Sequence, residues 1–472
     1  MSDDSSSGRI AEALRELIAG MPGGARMPPT REIVARWSAS PVTVQRAVRR
    51  LVAEGLIETR PGAGNFVRHA PPAPRVDYGW QTTALGPARS DPGAIGSTMR
   101  AAPEDAIALN GSYPCAELLP ARAVRTALAR AARSATAVDR PPGAGLPELR
   151  DWFARDLGRA TPPGGSTPIG ADVTIAPGGQ SAIASIFRAL AGPGEAVVME
   201  SPTFWGAIAA ARLAGLRIVP VAREDGAVPA AVLDEALATS RSHLFYAQPH
   251  LVNPSGETWT AAQAGATLEV ARAHGAFVIE DDWGRDFAGD DAPPPVATRD
   301  ADGHVIHIRS LTKSVSPAIR VAGVVARGPA QARIQTDRTI DELYVSGVLQ
   351  AAALEVLTAP GRDAHLRATR EALRARRDAL AGHIGRLLPE GTLTRLPRGG
   401  LNLWLRLPEG TTAPVVAERC ARAGLVVSPG DEWFPAEPAG AFLRLNYAGP
   451  HAARFEDAVG ILADALREGG TP

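Results

Sequence analysis

Lysine is almost missing from this chain of 472 residues: of its 50 Lys and Arg side chains, 49 are Arg and one, Lys313, is Lys. On a solvated face either residue supplies the charge, so the bias alone excludes little. What Arg cannot supply is a primary amine able to lose its proton, so any Schiff-base chemistry has Lys313 as its only lysine. Cysteine is scarce too. Cys115 and Cys420 lie far apart, which excludes a disulfide framework and a cysteine-rich zinc site, leaves no metal expected, and suits a reducing cytoplasm. The formal net charge is zero, so attraction to nucleic acid or membrane cannot belong to the chain as a whole, and a basic face must be local. No run approaches the ~20 apolar residues of a membrane span, and the opening MSDDSSSGRI lacks the basic and apolar regions of a secretory signal. The expected location is cytoplasmic, without a membrane partner.

What is present is a globular composition, 45% hydrophobic and 21% charged, in a chain long enough for about two or three domains. Ile10, Leu14, Leu17 and Ile18 have helical spacing, and Gly20 and Pro22 end that helix. Thr30 can cap a second helix through Ile33, Val34 and Trp37. A third follows from Ser40, with Val44, Ala47, Val48, Leu51 and Val52 on its buried stripe. Leu56 to Arg60 and Asn65 to Arg68 read as two short strands around PGAG. From Ala70 to about Pro103 the text is rich in Pro, Ala, Gly and Ser and reads as a linker. Beyond it, AVVME, LRIVPV, HLFYA, AFVIEDD and VIHIRS alternate with Ala-rich amphipathic helices, the pattern of a mainly parallel α/β sheet. A long Arg-rich helix from about 360 and strands near 401 to 407 and 442 to 447 suggest a small C-terminal α+β lobe. The expected domains are 1–69, a linker 70–103, and 104–472.

Residues 26 to 68 hold eight Arg against three Glu, a local charge of +5 that contact with phosphates would explain. The stretch RMPPTREIVARWSASPVTVQRAVRRLVAEGLIETRPGAGNFV resembles the DNA-binding domain of the GntR class of winged helix-turn-helix regulators. The resemblance implies that Arg31, then Ser40, Thr43 and Gln45 at the start of the third helix, and the wing around Gly62 and Gly64 approach double-stranded DNA, with Arg46 and Arg49 as further candidates. The N-terminal residues of a recognition helix reach base edges while basic neighbours hold phosphates, and Gln45 is suited to adenine. Pro41 stands where relatives often carry a polar or basic reader.

The remainder resembles fold-type I, pyridoxal 5′-phosphate (PLP)-dependent aminotransferases, and the two parts together resemble the MocR subfamily of regulators. In SLTKSVSPAIRVAG the resemblance puts Lys313 on the cofactor aldehyde as a Schiff base, with Ser310 and Arg320 at its phosphate. In APGGQSAI it puts Gly179 and Gln180 at the same phosphate, at a helix N-terminus. It further implies Asp281 of AFVIEDDW on the pyridine nitrogen, Asn253 of HLVNPSGE on the ring oxygen, Phe204 of ESPTFWG stacked on the ring, and Arg444 of AFLRLNYAG on an effector carboxylate. Four positions depart from the pattern: Trp283 replaces a Tyr beside the ring oxygen, Phe204 lacks a hydroxyl, Thr312 precedes Lys313 where Ser is common, and Arg140 stands where a Tyr often reaches the phosphate across a dimer interface.

The resulting expectation is a DNA-binding regulator that uses PLP on Lys313 to sense an amino compound or PLP itself. It would act as a head-to-tail homodimer on paired half-sites or direct repeats. Two alternatives share the sequence features, an active aminotransferase with a DNA-binding head and a regulator whose core has lost PLP use. The altered ring contacts weigh against efficient turnover, and Lys313 against loss of the cofactor.

Overall fold

The computed structural model describes residues 6–68, 77–85, 96–162, 167–289 and 292–467. The chain divides into two compact units, Met1–Pro87 and Ala88–Pro472.

In the first unit, α1 (Ser6–Ala19), α2 (Thr30–Arg36) and α3 (Pro41–Ala53) precede a hairpin of β1 (Ile57–Arg60) and β2 (Gly64–Val67). Ile10, Leu14, Ile33, Val44, Leu51, Ile57 and Val67 are in its core, so most of each amphipathic stripe read from the sequence turns inward; Val52, expected on the buried stripe of α3, is instead exposed near the end of the helix. The start of α3 is fixed by Ser40, whose hydroxyl accepts from the Thr43 backbone N–H at 3.2 Å, and by Pro41 in its first turn. The hairpin is antiparallel, Ile57 opposite Val67 and Arg60 opposite Gly64. Its turn needs glycine because Gly62 and Gly64 have φ of 74° and 107°. Helix α4 (Gly79–Leu85) falls inside the segment expected to be linker.

The second unit is an α/β domain. It opens with β3 (Ile107–Ala108), α5 (Ala121–Ala131), α6 (Pro147–Gly158), β4 (Val173–Ala176), α7 (Gly179–Leu190) and β5 (Ala196–Ser201). It continues through α8 (Trp205–Leu213), β6 (Arg217–Ala222), α9 (Ala230–Ser240), β7 (Leu244–Ala247), α10 (Ala261–His274) and β8 (Phe277–Asp282). Then come β9 (Val305–Ser310), β10 (Ala322–Val325), α11 (Gly328–Glu342) and α12 (Gly347–Thr358). The seven-stranded sheet has the order β4-β10-β9-β8-β7-β5-β6. Strands β5 to β9 run parallel to one another, and β10 runs antiparallel to both β4 and β9. Val197 and Met199 of β5 pack with α7 and α8, while Val198 between them packs with α9 and α10. A sheet buried on both faces explains why its strands read as continuous apolar runs.

The C-terminal lobe is built on α13 (Arg362–Leu387), β11 (Asn402–Arg406), α14 (Ala413–Arg422), β12 (Leu425–Val426), β13 (Ser428–Pro429), β14 (Phe442–Asn446) and α15 (Phe455–Arg467). Strands β11, β14 and β13 form an antiparallel sheet, and β12 pairs in parallel with β3. The packing of this unit reaches back before residue 104: Ser97 and Thr98 are buried, and the Ser97 backbone N–H donates to both Glu432 carboxylate oxygens at 2.8 Å.

Candidate functional site

Loops at the carboxyl ends of the parallel strands, where ligands of open α/β sheets bind, deliver most of the expected site residues. Asp281 stands near the end of β8, Ser310 ends β9, and Lys313 follows three residues later. One pocket is lined by Lys313, Gly179, Gln180, Phe204, Asn253, Asp281, Trp283, Ser310, Arg320 and Arg444. Of the second-unit residues singled out in the sequence, Arg140 does not line it. That side chain is exposed, with its guanidinium 5.9 Å from the ring centre of Tyr344.

The Lys313 amine lies 3.5 Å from the ring centre of Tyr113. Burial, and after it the positive charges of Arg444 and Arg320, push its pKa down to about 7 against the opposing carboxylate of Asp281. A large fraction of this amine is therefore neutral at physiological pH and able to act as a nucleophile. Asp281 is fully buried. Its Oδ2 accepts from the Tyr246 phenol at 2.7 Å and from Gln248 Nε2 at 2.8 Å. Burial raises its pKa to about 6 although both hydrogen bonds favour the ionised form, and the neighbouring Asp282 adds to the rise. For Asp282 itself burial is outweighed by the nearby His250, whose Nδ1 stands 3.5 Å from Oδ1, and by the charge of Arg285, which hold it well below the usual carboxylate range.

Whether these residues fit PLP is a question of a phosphate cradle, a partner for the ring nitrogen and a reachable amine. Helix α7 begins at Gly179 after Gly178, whose φ of 95° and close approach exclude a side chain: an added Cβ would stand 2.7 Å from Arg320 Cζ. A Cβ on Gly179 would stand 3.6 Å from that of Ser310. Arg320, itself at a φ of 46°, donates to Thr312 Oγ1 at 3.4 Å. Guanidinium, hydroxyls and a helix N-terminus thus converge, a donor set that matches a phosphate dianion. The Gln180 side chain is engaged elsewhere, donating to the Gly206 carbonyl at 2.7 Å, which leaves that residue its backbone N–H for an anion. Trp283, which lines the same pocket, has its Nε1 donor buried without a hydrogen-bond partner. The residues fit the cofactor.

Arg444, which lines the same pocket, is 1% exposed and donates to Asn253 Oδ1 at 3.1 Å, the Gly111 carbonyl at 3.0 Å and Ser112 Oγ at 3.1 Å. The pocket also contains Ser112, Tyr113, Gln248 and Asn402, which the sequence reading did not single out. Tyr246, behind Asp281, was missed as well. A phenol in the apolar run LFYA was a signal, because a buried Tyr hydroxyl needs a partner. Ser112, Tyr113 and Asn402 carried no comparable sign.

In the first unit, α3 presents Gln45, Arg46 and Arg49 to solvent together with Val42, which is 61% exposed. Their spacing sets them on one face. Arg31, Gly62 and Gly64 are exposed, whereas the hydroxyls of Ser40 and Thr43 are 2.8 Å apart within the helix cap. Arg50 is turned to Glu54, which also receives Arg15 at 2.7 Å.

Residues 107–462 match the family of class I and II aminotransferases, and residues 6–67 the gntR family of bacterial regulatory proteins. The chain is 28% identical over 98% of both chains to YdcR of Escherichia coli, described as an uncharacterized HTH-type transcriptional regulator. It is 26% identical over 93% of both chains to PtsJ of Salmonella typhimurium, a vitamin B6 salvage pathway transcriptional repressor. Among solved structures, LysN, the α-aminoadipate aminotransferase of Thermus thermophilus, superposes with a TM-score of 0.73 at 25% identity, covering 82% of this chain and 98% of LysN. The chain belongs to the class I and II aminotransferase family and carries a gntR-family segment ahead of that domain, a layout consistent with the MocR-type transcriptional regulators.

Proposed function

We propose that this regulator holds PLP on Lys313 and reads an amino compound, or the vitamer itself, through that site to change its grip on DNA. The observation that carries the reading is the convergence on one buried pocket of a partly neutral amine, Asp281, and the cradle of Gly179, Ser310 and Arg320. When bound, PLP supplies an aldehyde that primary amines capture and a ring that withdraws electrons. Lys313 offers the amine, Asp281 the anionic partner for the pyridine nitrogen, and Phe204 a face for the ring. Trp283 and Asn253 would hold the ring oxygen. Arg444 would serve the carboxylate of an effector that has one. The name of PtsJ supports a link to vitamin B6 for a relative of the same layout.

On the DNA side, Gln45 and Val42 meet base edges while Arg31, Arg46, Arg49 and the Gly62–Gly64 wing meet phosphates. Two chains in a head-to-tail homodimer would present two such heads to paired half-sites or direct repeats. Arg140, exposed beside Tyr344, is available to a partner subunit's phosphate site. The test compares wild type and Lys313→Ala for PLP absorbance in the visible and for gel shifts on DNA flanking the gene, with and without PLP and amines. Wild type should carry the band and show an amine-sensitive shift, and the variant neither. Identical spectra would sink the cofactor assignment, and sustained keto-acid production would favour the aminotransferase reading.

A further inference from the structure

The wall of the Lys313 pocket is contributed by two different sheets, and they divide its work. Gly179, Asp281, Ser310 and Arg320 come from the large sheet or its loops, whereas Asn402 and Arg444 come from β11 and β14 of the small antiparallel sheet. In the register of that pair Asn402 faces Asn446 and Trp404 faces Arg444. Side chains two apart on a strand share a face, so Asn402, Trp404, Arg444 and Asn446 lie on the same side, with Asn402 diagonal to Arg444.

Arg444 and Asn446 both already bond within the protein, Arg444 with N–H donors to spare. Arg444 holds Gly111, Ser112 and Asn253, and Asn446 Nδ2 donates to the Tyr113 carbonyl at 3.3 Å while its Oδ1 accepts from the Ala448 N–H at 2.7 Å. Asn402 differs. It is 5% exposed, it lines the pocket, and its Oδ1 has no hydrogen-bond partner. A polar atom buried in this way is costly unless something satisfies it, and the residue that carries it lines the same pocket as the Lys313 amine.

We propose that Asn402 selects the effector: its side-chain amide pairs with a second hydrogen-bonding group, such as a carboxamide, hydroxyl or ammonium, that the effector carries besides its reacting amine. The inference rests on Lys313 being the cofactor anchor. The geometry favours polar amino compounds over plain alkyl amines, because an alkyl group set against Asn402 would leave the amide unpaired.

The test uses the full-length protein loaded with PLP, and reads the change in visible absorbance on titration with paired amines. L-Glutamine is set against L-norleucine, and 3-aminopropanamide against butylamine, the second pair testing effectors that lack a carboxylate. Wild type should respond to the carboxamide member at concentrations about fivefold to tenfold lower. Asn402→Leu should abolish or invert that preference. Asn402→Asp, of the same shape, guards against misfolding and should favour 1,3-diaminopropane over butylamine. Equal response of wild type to both members, or unchanged ratios in both variants, overturns the proposal. Loss of the cofactor band in either variant before any amine is added would also overturn it, by moving Asn402 to the cofactor's own contacts. A wild type without the band defeats the cofactor reading itself, and is recognised before any amine is present.

Discussion

The phenol of Tyr246 donates to Oδ2 of Asp281 at 2.7 Å from the adjacent parallel strand, and Gln248 donates to the same oxygen. Both bonds stabilise the anion that burial would otherwise protonate, and they leave Oδ1 for the pyridine nitrogen. Because burial lifts the folded pKa to about 6, above its ordinary value of 3.8, the stability this group contributes is complete at low pH and lost as pH rises through about 6. Tyr246→Phe removes a bond that lowers the pKa, so the carboxyl stays protonated further toward neutrality. PLP affinity should fall about tenfold near pH 6 to 7, with a smaller deficit at pH 8, in fluorescence titrations of the apoprotein. Equal affinity across that range would reduce Tyr246 to a packing residue.

Lys313 gives the opposite sign. Its pKa in the folded apoprotein is about 7, below its ordinary 10.5, so the stability linked to its neutral form is present above the unfolded value and lost as pH falls through about 7. Replacing it by Met removes a buried ammonium. Apo Lys313→Met should be more stable than apo wild type by a few kcal/mol at pH 6, and the two should converge near pH 10. Urea melts at the two pH values measure this. A gap that does not change with pH would mean that the amine is solvated in the apoprotein.

Gly178 makes the cradle possible through its backbone alone. At a φ of 95° and with Arg320 Cζ 2.7 Å from where a Cβ would stand, Gly178→Ala strains the backbone and displaces the guanidinium. PLP affinity should drop at least about tenfold, because a charge-assisted contact to phosphate is lost. DNA binding by the first unit in the absence of PLP should be retained. Unchanged PLP affinity would remove Arg320 from the phosphate site.

The legible parts of this molecule were those written in local periodicity and ordered motifs. AVVME, LRIVPV, HLFYA, AFVIEDD and VIHIRS all became parallel strands because a doubly covered sheet needs continuous apolar runs. Residues brought together from distant parts of the chain were not legible. The pairing of Ile107 with Leu425 joins the start of the unit to its C-terminal lobe, and no local pattern announces it. That pairing lies in the same segment as Ser112 and Tyr113, so these two pocket residues went unseen for the same reason. Asn402 was hidden otherwise: a polar residue at the start of NLWLR reads as ordinary strand alternation until its Oδ1 is found without a partner in a residue that lines the pocket.

In the first unit the structure separates the exposed face of α3 from its capping residues. The Ser40 and Thr43 hydroxyls are 2.8 Å apart and the Thr43 N–H is held by Ser40, so loss of DNA binding on mutating either could reflect fraying of α3, a cap being worth about 1 kcal/mol. Gln45 and Arg49 carry no such ambiguity, since both are exposed. Gln45→Ala should cost about 1–3 kcal/mol on preferred DNA and relax one base position. Arg49→Ala should weaken binding evenly across sequences and lower the salt slope by about one. Val42, 61% exposed on the same face, is suited to a thymine methyl, so deoxyuridine at that base should weaken wild type while leaving Val42→Ala unaffected. Sequence selection from a random duplex library, followed by salt-dependent titrations, distinguishes these effects. If Gln45→Ala and Arg49→Ala alter specificity and salt dependence alike, the exposed face of α3 does not enter the major groove.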